Sequence, residues 1–113
     1  MFYTYSQNSS GGRFVFNEDV NYYVVIEADS SNEADTRAEE VGVYFDGCDS
    51  GRDCDCCGDR WSRSWSQDGT ETPMIYDEPV QTYWKNAEFK MKWADNQAII
   101  VYFKDGRKEI HYV

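Results

Sequence analysis

All four cysteines of this 113-residue chain lie in one short segment, CDSGRDCDCCGDRW at 48–61. Their spacing is Cys48-x5-Cys54-x-Cys56-Cys57. Thiolates bind zinc and other soft metals, and they also carry thiol–disulfide chemistry. The segment therefore has three interpretations: a metal site, a redox site, or a compact structural loop.

A zinc site is the first interpretation. Structural zinc sites usually take two ligand pairs of spacing C-x2–4-C, which this segment does not match. Adjacent side chains normally diverge, so Cys56 and Cys57 are not expected to share one metal. The sequence predicts a zinc ligand set of Cys48, Cys54 and either Cys57 or Cys56, completed by the single histidine, His111, or by a loop aspartate.

Redox chemistry and simple packing are the alternatives. A reactive cysteine needs a lowered pKa, and the aspartates of the loop would raise it, whereas Arg52 and Arg60 would lower it. The net surroundings are acidic, so no reactive thiolate is expected. In the structural interpretation the small residues pack around Trp61 without a metal, and the choice between zinc and packing stays open.

A second group with chemical potential follows directly in WSRSW, 61–65. Alternation in an extended segment would place Trp61, Arg63 and Trp65 on one side. Such a face could stack on a ring or form a partner hot spot, or it could serve ordinary cross-strand packing. The predicted partner-binding residues are these three together with the acids Asp35, Glu39 and Glu40.

The charge of the chain is strongly uneven. The formal net charge is −10; residues 1–60 hold four Arg against thirteen acids, whereas residues 61–113 hold seven basic residues against eight acids. An acidic half repels a phosphate backbone, so direct nucleic-acid binding is not expected. It favours a basic protein partner, and the alternative is that it serves solubility alone.

Enzymatic motifs are missing from the sequence. There is no G-x-G-x-x-G, P-loop or H-E-x-x-H pattern, and the lone histidine lies near the end of the chain. The N-terminal MFYTYSQNSSGG has no signal-peptide pattern, and no segment approaches the ~20 apolar residues of a membrane span. We therefore expect a non-catalytic cytosolic protein with no membrane association.

The element that must position the cysteine segment is a helix at about 30–42. Ser30 followed by Glu33 matches a capping box, and Gly42 is placed to end the helix. Its apolar stripe is narrow, Ala34, Ala38 and Val41, so the helix can lie close to a sheet.

The remaining patterns predict strands. YYVVIEA (22–28) is apolar on both faces and should be central, while FYTY (2–5) and RFVF (13–16) could pair as a hairpin. PMIYDEPVQTYW (73–84) carries two prolines and is predicted as an extended or edge segment. AEFKMKW (87–93), AIIVYF (98–103) and KEIHYV (108–113) predict a C-terminal three-stranded meander, with a hairpin turn at Asp105-Gly106.

These elements predict one α+β domain over residues 1–113. It should contain a mostly antiparallel β-sheet, one helix at about 30–42 packed on one face, the C-terminal meander, and a Cys/Asp-rich loop at 46–60.

Three segments carry a resemblance to a known group of proteins. FYTYSQNSSGG, YYVVIEADSSNEADTRAEEVGVYFDGC and CCGDRW together resemble a family of small uncharacterised proteins of tailed bacteriophages. The resemblance covers most of the chain. It implies a phage origin and the host cytoplasm as the setting, and it transfers no catalytic residues.

The expected function is an acidic, non-catalytic binding protein that inhibits or modulates a host protein, such as an anti-phage defence factor. One alternative is a zinc-stabilised structural or interaction module. Another is the sequestration of a small nucleotide signal, which Trp61, Arg63 and Trp65 would stack on and pair with.

Overall fold

A computed structural model describes residues 1–9, 14–86 and 97–112. The strands are β1 (Phe2–Ser6), β2 (Tyr23–Glu27), β3 (Met74–Ile75), β4 (Glu78–Pro79), β5 (Ala98–Tyr102) and β6 (Lys108–Tyr112). The helices are α1 (Ser31–Val41), α2 (Gly47–Ser50) and α3 (Val80–Asn86), with a 3-10 turn at Ser66–Asp68. Within the described ranges, no helix is long and apolar enough to span a membrane.

The main sheet has four strands in the order β1-β2-β5-β6. β1 is antiparallel to β2, β2 is parallel to β5, and β5 is antiparallel to β6. The α+β class is confirmed, and the sheet is mixed because of its one parallel pair. The predicted central positions of 22–28 and 98–103 are confirmed, since β2 and β5 have a partner on both sides.

Both faces of this sheet are covered. Val24 and Ile26 of β2 face a core that contains Trp61 and the two buried alanines of α1. Val25 and Tyr23 face a second core with Ile75, Val80 and Trp84, from the β3–β4 hairpin and α3. The alternation of a strand places successive side chains on opposite faces, so an unbroken apolar run such as YVVI fits a strand between two layers.

Helix α1 matches the prediction for 30–42. The Ser30 hydroxyl accepts the Glu33 backbone N–H at 3.2 Å, and Gly42 ends the helix with φ +115°. Ala34 and Ala38 are fully buried. Small side chains let α1 approach the sheet closely, and this fixes one wall of the region around the cysteine loop.

The predicted hairpin between 2–5 and 13–16 is wrong. β1 pairs with β2, in a register from Phe2↔Glu27 to Ser6↔Tyr23, and residues 14–16 form no strand. β1 pairs with β2 because this pairing completes the buried four-stranded sheet. Residues 14–16 contribute side-chain packing instead, and the rings of Phe14 and Phe16 stack 5.9 Å apart.

Segment 73–84 is only partly extended. The short β3–β4 hairpin turns through Tyr76 and Asp77, both at positive φ, and α3 then begins at Val80. Pro79 stands immediately before that helix, where its fixed φ and missing N–H cost nothing. The prediction of an extended segment therefore holds for β3 and for β4, which ends at Pro79, and is wrong for residues 80–84, which are helical.

The C-terminal hairpin is confirmed. Phe103 N donates to the Arg107 carbonyl at 2.9 Å, and Gly106 adopts φ +94° in the turn that joins β5 to β6. The first predicted strand of the meander, 87–93, lies outside the described residues.

Candidate functional site

The cysteine loop, residues 46–60, begins with the one-turn helix α2. The backbone N–H groups of Arg52 and Asp53 donate to the Gly47 carbonyl at 2.8 and 3.0 Å, which closes the first half of the loop. A Cβ on Gly47 would lie 1.9 Å from Asp53 Oδ2. Glycine is therefore required at position 47, because any side chain would displace the Asp53 carboxylate.

That carboxylate is the centre of a buried polar network. Asp53 Oδ1 accepts the Tyr44 hydroxyl at 2.5 Å, and Oδ2 accepts the Arg60 backbone N–H at 2.8 Å. The Arg60 guanidinium donates to the Tyr44 oxygen at 3.0 Å and to Gln7 Oε1 at 3.2 Å. Gln7 in turn donates to the Val15 and Asn21 carbonyls, both at 3.0 Å. The network ties the loop to the residue that follows β1.

A second set of hydrogen bonds joins the loop to Asn8, which lies beyond the end of β1. Asn8 N donates to the Arg60 carbonyl at 2.8 Å, and Asn8 Nδ2 donates to the Cys57 carbonyl at 2.9 Å. The second half of the loop is therefore held against the residues that follow β1. The sequence did not predict the roles of these residues, because no pattern in it shows that Gln7 and Asp53 are buried or that Asn8 contacts the loop.

The thiol cluster, defined as Cys54, Cys56 and Cys57, lies in a tight turn. The three Sγ atoms all lie within 4.8 Å of one another, and those of Cys54 and Cys56 are 3.0 Å apart. The expectation that the adjacent pair diverges is wrong. The N–H groups of Cys57 and Gly58 both donate to the Cys54 carbonyl, at 3.2 and 3.1 Å, so the backbone is coiled and adjacent side chains are not opposed as in a strand.

Cys48 stands apart from the cluster. Its Sγ donates to the Cys54 carbonyl at 3.4 Å, and its backbone N–H donates to Asp59 Oδ1 at 2.9 Å. None of the four cysteines, all of which the structure describes, is in a disulfide. Partial burial, followed by the hydrogen bond to the Asp59 carboxylate, raises the pKa of Cys48 to about 11.

The thiols of the cluster titrate differently from one another. The hydrogen bond from Cys56, helped by the Cys57 and Cys56 backbone N–H groups, lowers the pKa of Cys54 to about 7. The same hydrogen bond to Cys54 raises the pKa of Cys56. The pKa of Cys54 is thus lowered, whereas the acidic surroundings led us to expect raised thiol pKa values in this loop.

His111, the other predicted ligand, lies on β6 and contacts Glu109 Oε1 at 3.2 Å through Nε2. β6 and β1 are the opposite edges of the four-stranded sheet. At about 4.8 Å per strand the two edges are roughly 14 Å apart. The cysteine loop meets the sheet at the end of β1, so the fold does not bring His111 to the thiol cluster.

An acidic cavity of about 530 Å³ lies between α1 and the segment that follows the cysteine loop. Its walls include the carboxylates of Asp35, Asp46 and Asp59 and the ring of Phe45. Trp61, Arg63 and Trp65 also line it, so it gathers four of the six predicted partner-binding residues. The full lining is Asn32, Asp35, Phe45, Asp46, Asp59, Trp61, Ser62, Arg63, Ser64 and Trp65.

The aromatic and basic residues of the cavity play different parts. Trp61 is 1% exposed and belongs to the core, whereas Trp65 is 68% exposed. Residues 61–65 form no strand, although Trp61, Arg63 and Trp65 all line the cavity. Arg63 pairs with Asp46 at 2.8 Å, a contact that raises the arginine's pKa, and it lies over the Phe45 ring at 5.0 Å.

The three predicted partner-binding acids of α1 also differ in their contacts and exposure. Asp35 Oδ1 accepts the Tyr5 hydroxyl at 2.6 Å, the Ser64 N–H at 3.0 Å and the Ser64 hydroxyl at 2.9 Å. This carboxylate therefore joins α1 to β1 and to the cavity wall. Glu39 and Glu40 are exposed, and the Glu39 charge is felt by Arg63.

Comparison with protein families gives one match. The model of a domain of unknown function, DUF7296, matches residues 1–112. The chain belongs to the DUF7296 family. Neither the curated proteins nor the solved structures contain a match. Membership in an uncharacterised family agrees with the resemblance noted from the sequence, and the function must be argued from the site itself.

Proposed function

We propose that this DUF7296 protein is a non-catalytic binding protein that recognises a basic surface of a partner protein through the acidic cavity and the neighbouring face of α1. The carrying observation is the combination of three carboxylates with the exposed Trp65 ring in one cavity. Carboxylates and an indole ring are the groups that hold a lysine or arginine side chain.

The charges of the cavity support a cationic ligand. Three aspartates face one guanidinium, and Asp46 already pairs with that guanidinium at 2.8 Å. The hydrogen bonds that Asp35 receives from the described residues all reach Oδ1, which leaves the lone pairs of Oδ2 for a ligand. A phosphate group would meet the same carboxylates at a cost, so sequestration of a nucleotide signal is disfavoured.

Trp65 supplies the contact area. Its indole is 68% exposed at the edge of the cavity, and tryptophan is the residue most often found to dominate binding energy at interfaces. The exposed Glu39 and Glu40 extend the negative potential along α1 and would steer a basic partner toward the ring.

The resemblance to phage proteins supports the biological setting of this proposal. A phage-encoded protein acts in the host cytoplasm, so the partner would be a host protein, such as an anti-phage defence factor, that is inhibited or modulated by the contact. Family membership adds no activity, because the family is one of unknown function.

A zinc-stabilised interaction module is the second candidate. The observation that favours it is the convergence of the Cys54, Cys56 and Cys57 thiols, since thiolates are preferred zinc ligands. In this candidate the metal stiffens the cysteine loop, which carries two of the cavity carboxylates, Asp46 and Asp59.

The first candidate is tested by affinity capture from host-cell lysate with identification by mass spectrometry, followed by binding measurements on the purified partner. Trp65→Ala should weaken binding about thirtyfold, the equivalent of a hot-spot cost of about 2 kcal/mol. Glu39→Lys with Glu40→Lys should slow association and reduce its dependence on salt. Asp35 is left intact, because its hydrogen bonds also hold the fold.

The matched control is Glu18→Lys with Glu71→Lys, which makes the same change of charge at two exposed residues outside the cavity. Circular dichroism verifies that each variant is folded. A partner that the wild type and the control bind equally, and that the cavity variants bind weakly, supports the proposal. Equal binding by all variants contradicts it.

A further inference from the structure

We infer that Cys54, Cys56 and Cys57 form a three-thiolate site for a thiophilic d10 cation of the zinc and cadmium class, with the fourth coordination position open to an external ligand. The site differs from the ligand set that the spacing predicts, because it includes both adjacent cysteines and leaves out Cys48 and His111. The inference rests on the metal-binding candidate and gives it a ligand set and a coordination number.

The sulfur positions fit one ion. A tetrahedral ion with metal–sulfur bonds of about 2.3 Å has sulfurs about 3.8 Å apart. The three Sγ atoms lie within 4.8 Å of one another, and the closest pair is 3.0 Å apart. Side-chain rotations that change the sulfur–sulfur distances by about 1 Å or less would therefore give the spacing that one ion needs, with no change in the backbone.

The turn that carries the thiols is already held in place. Its two N–H···O bonds to the Cys54 carbonyl are formed, and Gly58 leaves the turn at φ +85°, a conformation that favours glycine. Asn8 donates a hydrogen bond to the Cys57 carbonyl. Asp53, the residue before Cys54, is held by its hydrogen bonds in the buried network. The hydrogen bonds of the protein itself therefore hold the turn that carries the three thiols.

The fourth coordination position is open among the residues that the structure describes. Among the described residues, no histidine, cysteine or carboxylate oxygen joins the three thiols within the same distance. Cys48 is engaged with the Cys54 carbonyl, and His111 lies at the opposite edge of the sheet. Cys56 and Cys57 are exposed, so the open position faces solvent. Closed four-ligand sites are structural, whereas a site with three protein ligands keeps its ion accessible and exchangeable.

The donor set decides the class of ion. Three thiolates suit soft or borderline cations and disfavour calcium and magnesium, which take oxygen ligands. Of the neighbouring carboxylates, Asp53 is turned into the buried network and Asp59 accepts the Cys48 backbone N–H. Asp55 is exposed and does not join the three thiols within the same distance. An external thiol, imidazole or partner side chain would complete the coordination.

The experiment titrates Cd²⁺ into the reduced, metal-free full-length protein, with a non-thiol reductant present. Binding is read from the sulfur-to-cadmium charge-transfer absorbance and from the number of ions bound per chain. We expect one ion per chain. Cys54→Ser, Cys56→Ser and Cys57→Ser should each lower the affinity at least about tenfold, since even the hydrogen-bond partners of metal ligands cost 10–100-fold when removed.

Cys48→Ser is the matched control, since it retains a donor for the Cys54 carbonyl, and His111→Gln is the second control. Both should bind Cd²⁺ like the wild type. Added imidazole should shift the ¹¹³Cd resonance of the wild type if the fourth position is open. Loss of binding in Cys48→Ser, an equal effect of all four serine variants, or a resonance unchanged by imidazole would overturn the inference.

The melting temperature with and without Zn²⁺ separates this inference from the zinc-stabilised module. A rise in the melting temperature that persists in Cys48→Ser and is lost in Cys54→Ser supports the three-thiolate site, because an ion that binds the folded state stabilises it. A raised melting temperature that requires Cys48 supports the module and overturns the three-thiolate site. Absence of any binding overturns both.

Discussion

Two aspartates of the cysteine loop each pair with an arginine, and burial makes the two pairs energetically different. Asp53 and Arg60 have side chains that are 0% and 9% exposed, whereas Asp46 and Arg63 are 53% and 54% exposed. An exposed pair contributes about 0–1 kcal/mol, because water screens it. Removing one member of a buried pair costs about 3–5 kcal/mol, because the other charge is left unpaired.

We therefore predict that Asp53→Ala lowers the free energy of unfolding by about 3 kcal/mol or more, because Tyr44 and the Arg60 N–H also lose their acceptor. Asp46→Ala is the matched control and should cost at most about 1 kcal/mol. Urea denaturation measures both. Equal stabilities for the two variants would show that the buried network does not hold the loop.

A second prediction at the residue scale concerns buried phenols at high pH. Burial raises the pKa of Tyr102 from 10.0 to about 12, and burial also raises the pKa of Tyr5 and Tyr23. The folded state thus favours the protonated phenols. Their contribution to stability is complete below pH 10, the value of the unfolded chain, and is lost as the pH rises toward 12.

Denaturant titrations below pH 10 and at about pH 11 should show a falling free energy of unfolding. Tyr102→Phe is the control for one phenol, and it should make the decline shallower because it removes one of the groups that ionise on unfolding. A decline of the same slope in this variant would show that other groups govern alkaline unfolding.

At the scale of elements, signals within a few residues of one another were predictable. The N-cap Ser30 and the left-handed Gly42 mark both ends of α1, and Asp105-Gly106 marks the β5–β6 turn. Each of these signals acts through hydrogen bonds between neighbours in sequence, so the sequence alone contains the cause.

Pairing across the sheet was not predictable in the same way. The partner of β1 is decided by which strand completes the two-layered core, and the parallel β2–β5 pair joins segments about seventy residues apart. A proline such as Pro79 is common both at the end of an edge strand and at the start of a helix, so the residue alone did not predict α3. The thiol cluster was missed for a related reason, since its adjacent cysteines meet only because the turn is coiled.

The whole molecule combines a dense core with a large net charge. β2 and β5 are buried by layers on both sides, whereas ion pairs such as Lys104–Asp29 and Arg107–Asp105 lie at the surface. The molecule measures 34 × 33 × 25 Å and carries a net charge of −10. Its exposed pairs are local, whereas the repulsion among the excess acids acts between all parts of the surface.

These two effects respond to salt in opposite directions, which allows a prediction for the whole molecule. At about 0.01 M salt the Debye length is about 30 Å, so charges interact across the entire protein, whereas at about 0.15 M it is about 8 Å. Screening removes the long-range repulsion and leaves much of the short-range attraction. We therefore expect the melting temperature to rise between these two salt concentrations. Glu39→Lys with Glu40→Lys reduces the net charge to −6 and should make the rise smaller. Differential scanning fluorimetry measures both, and a melting temperature that falls with salt would show that surface ion pairs outweigh the repulsion.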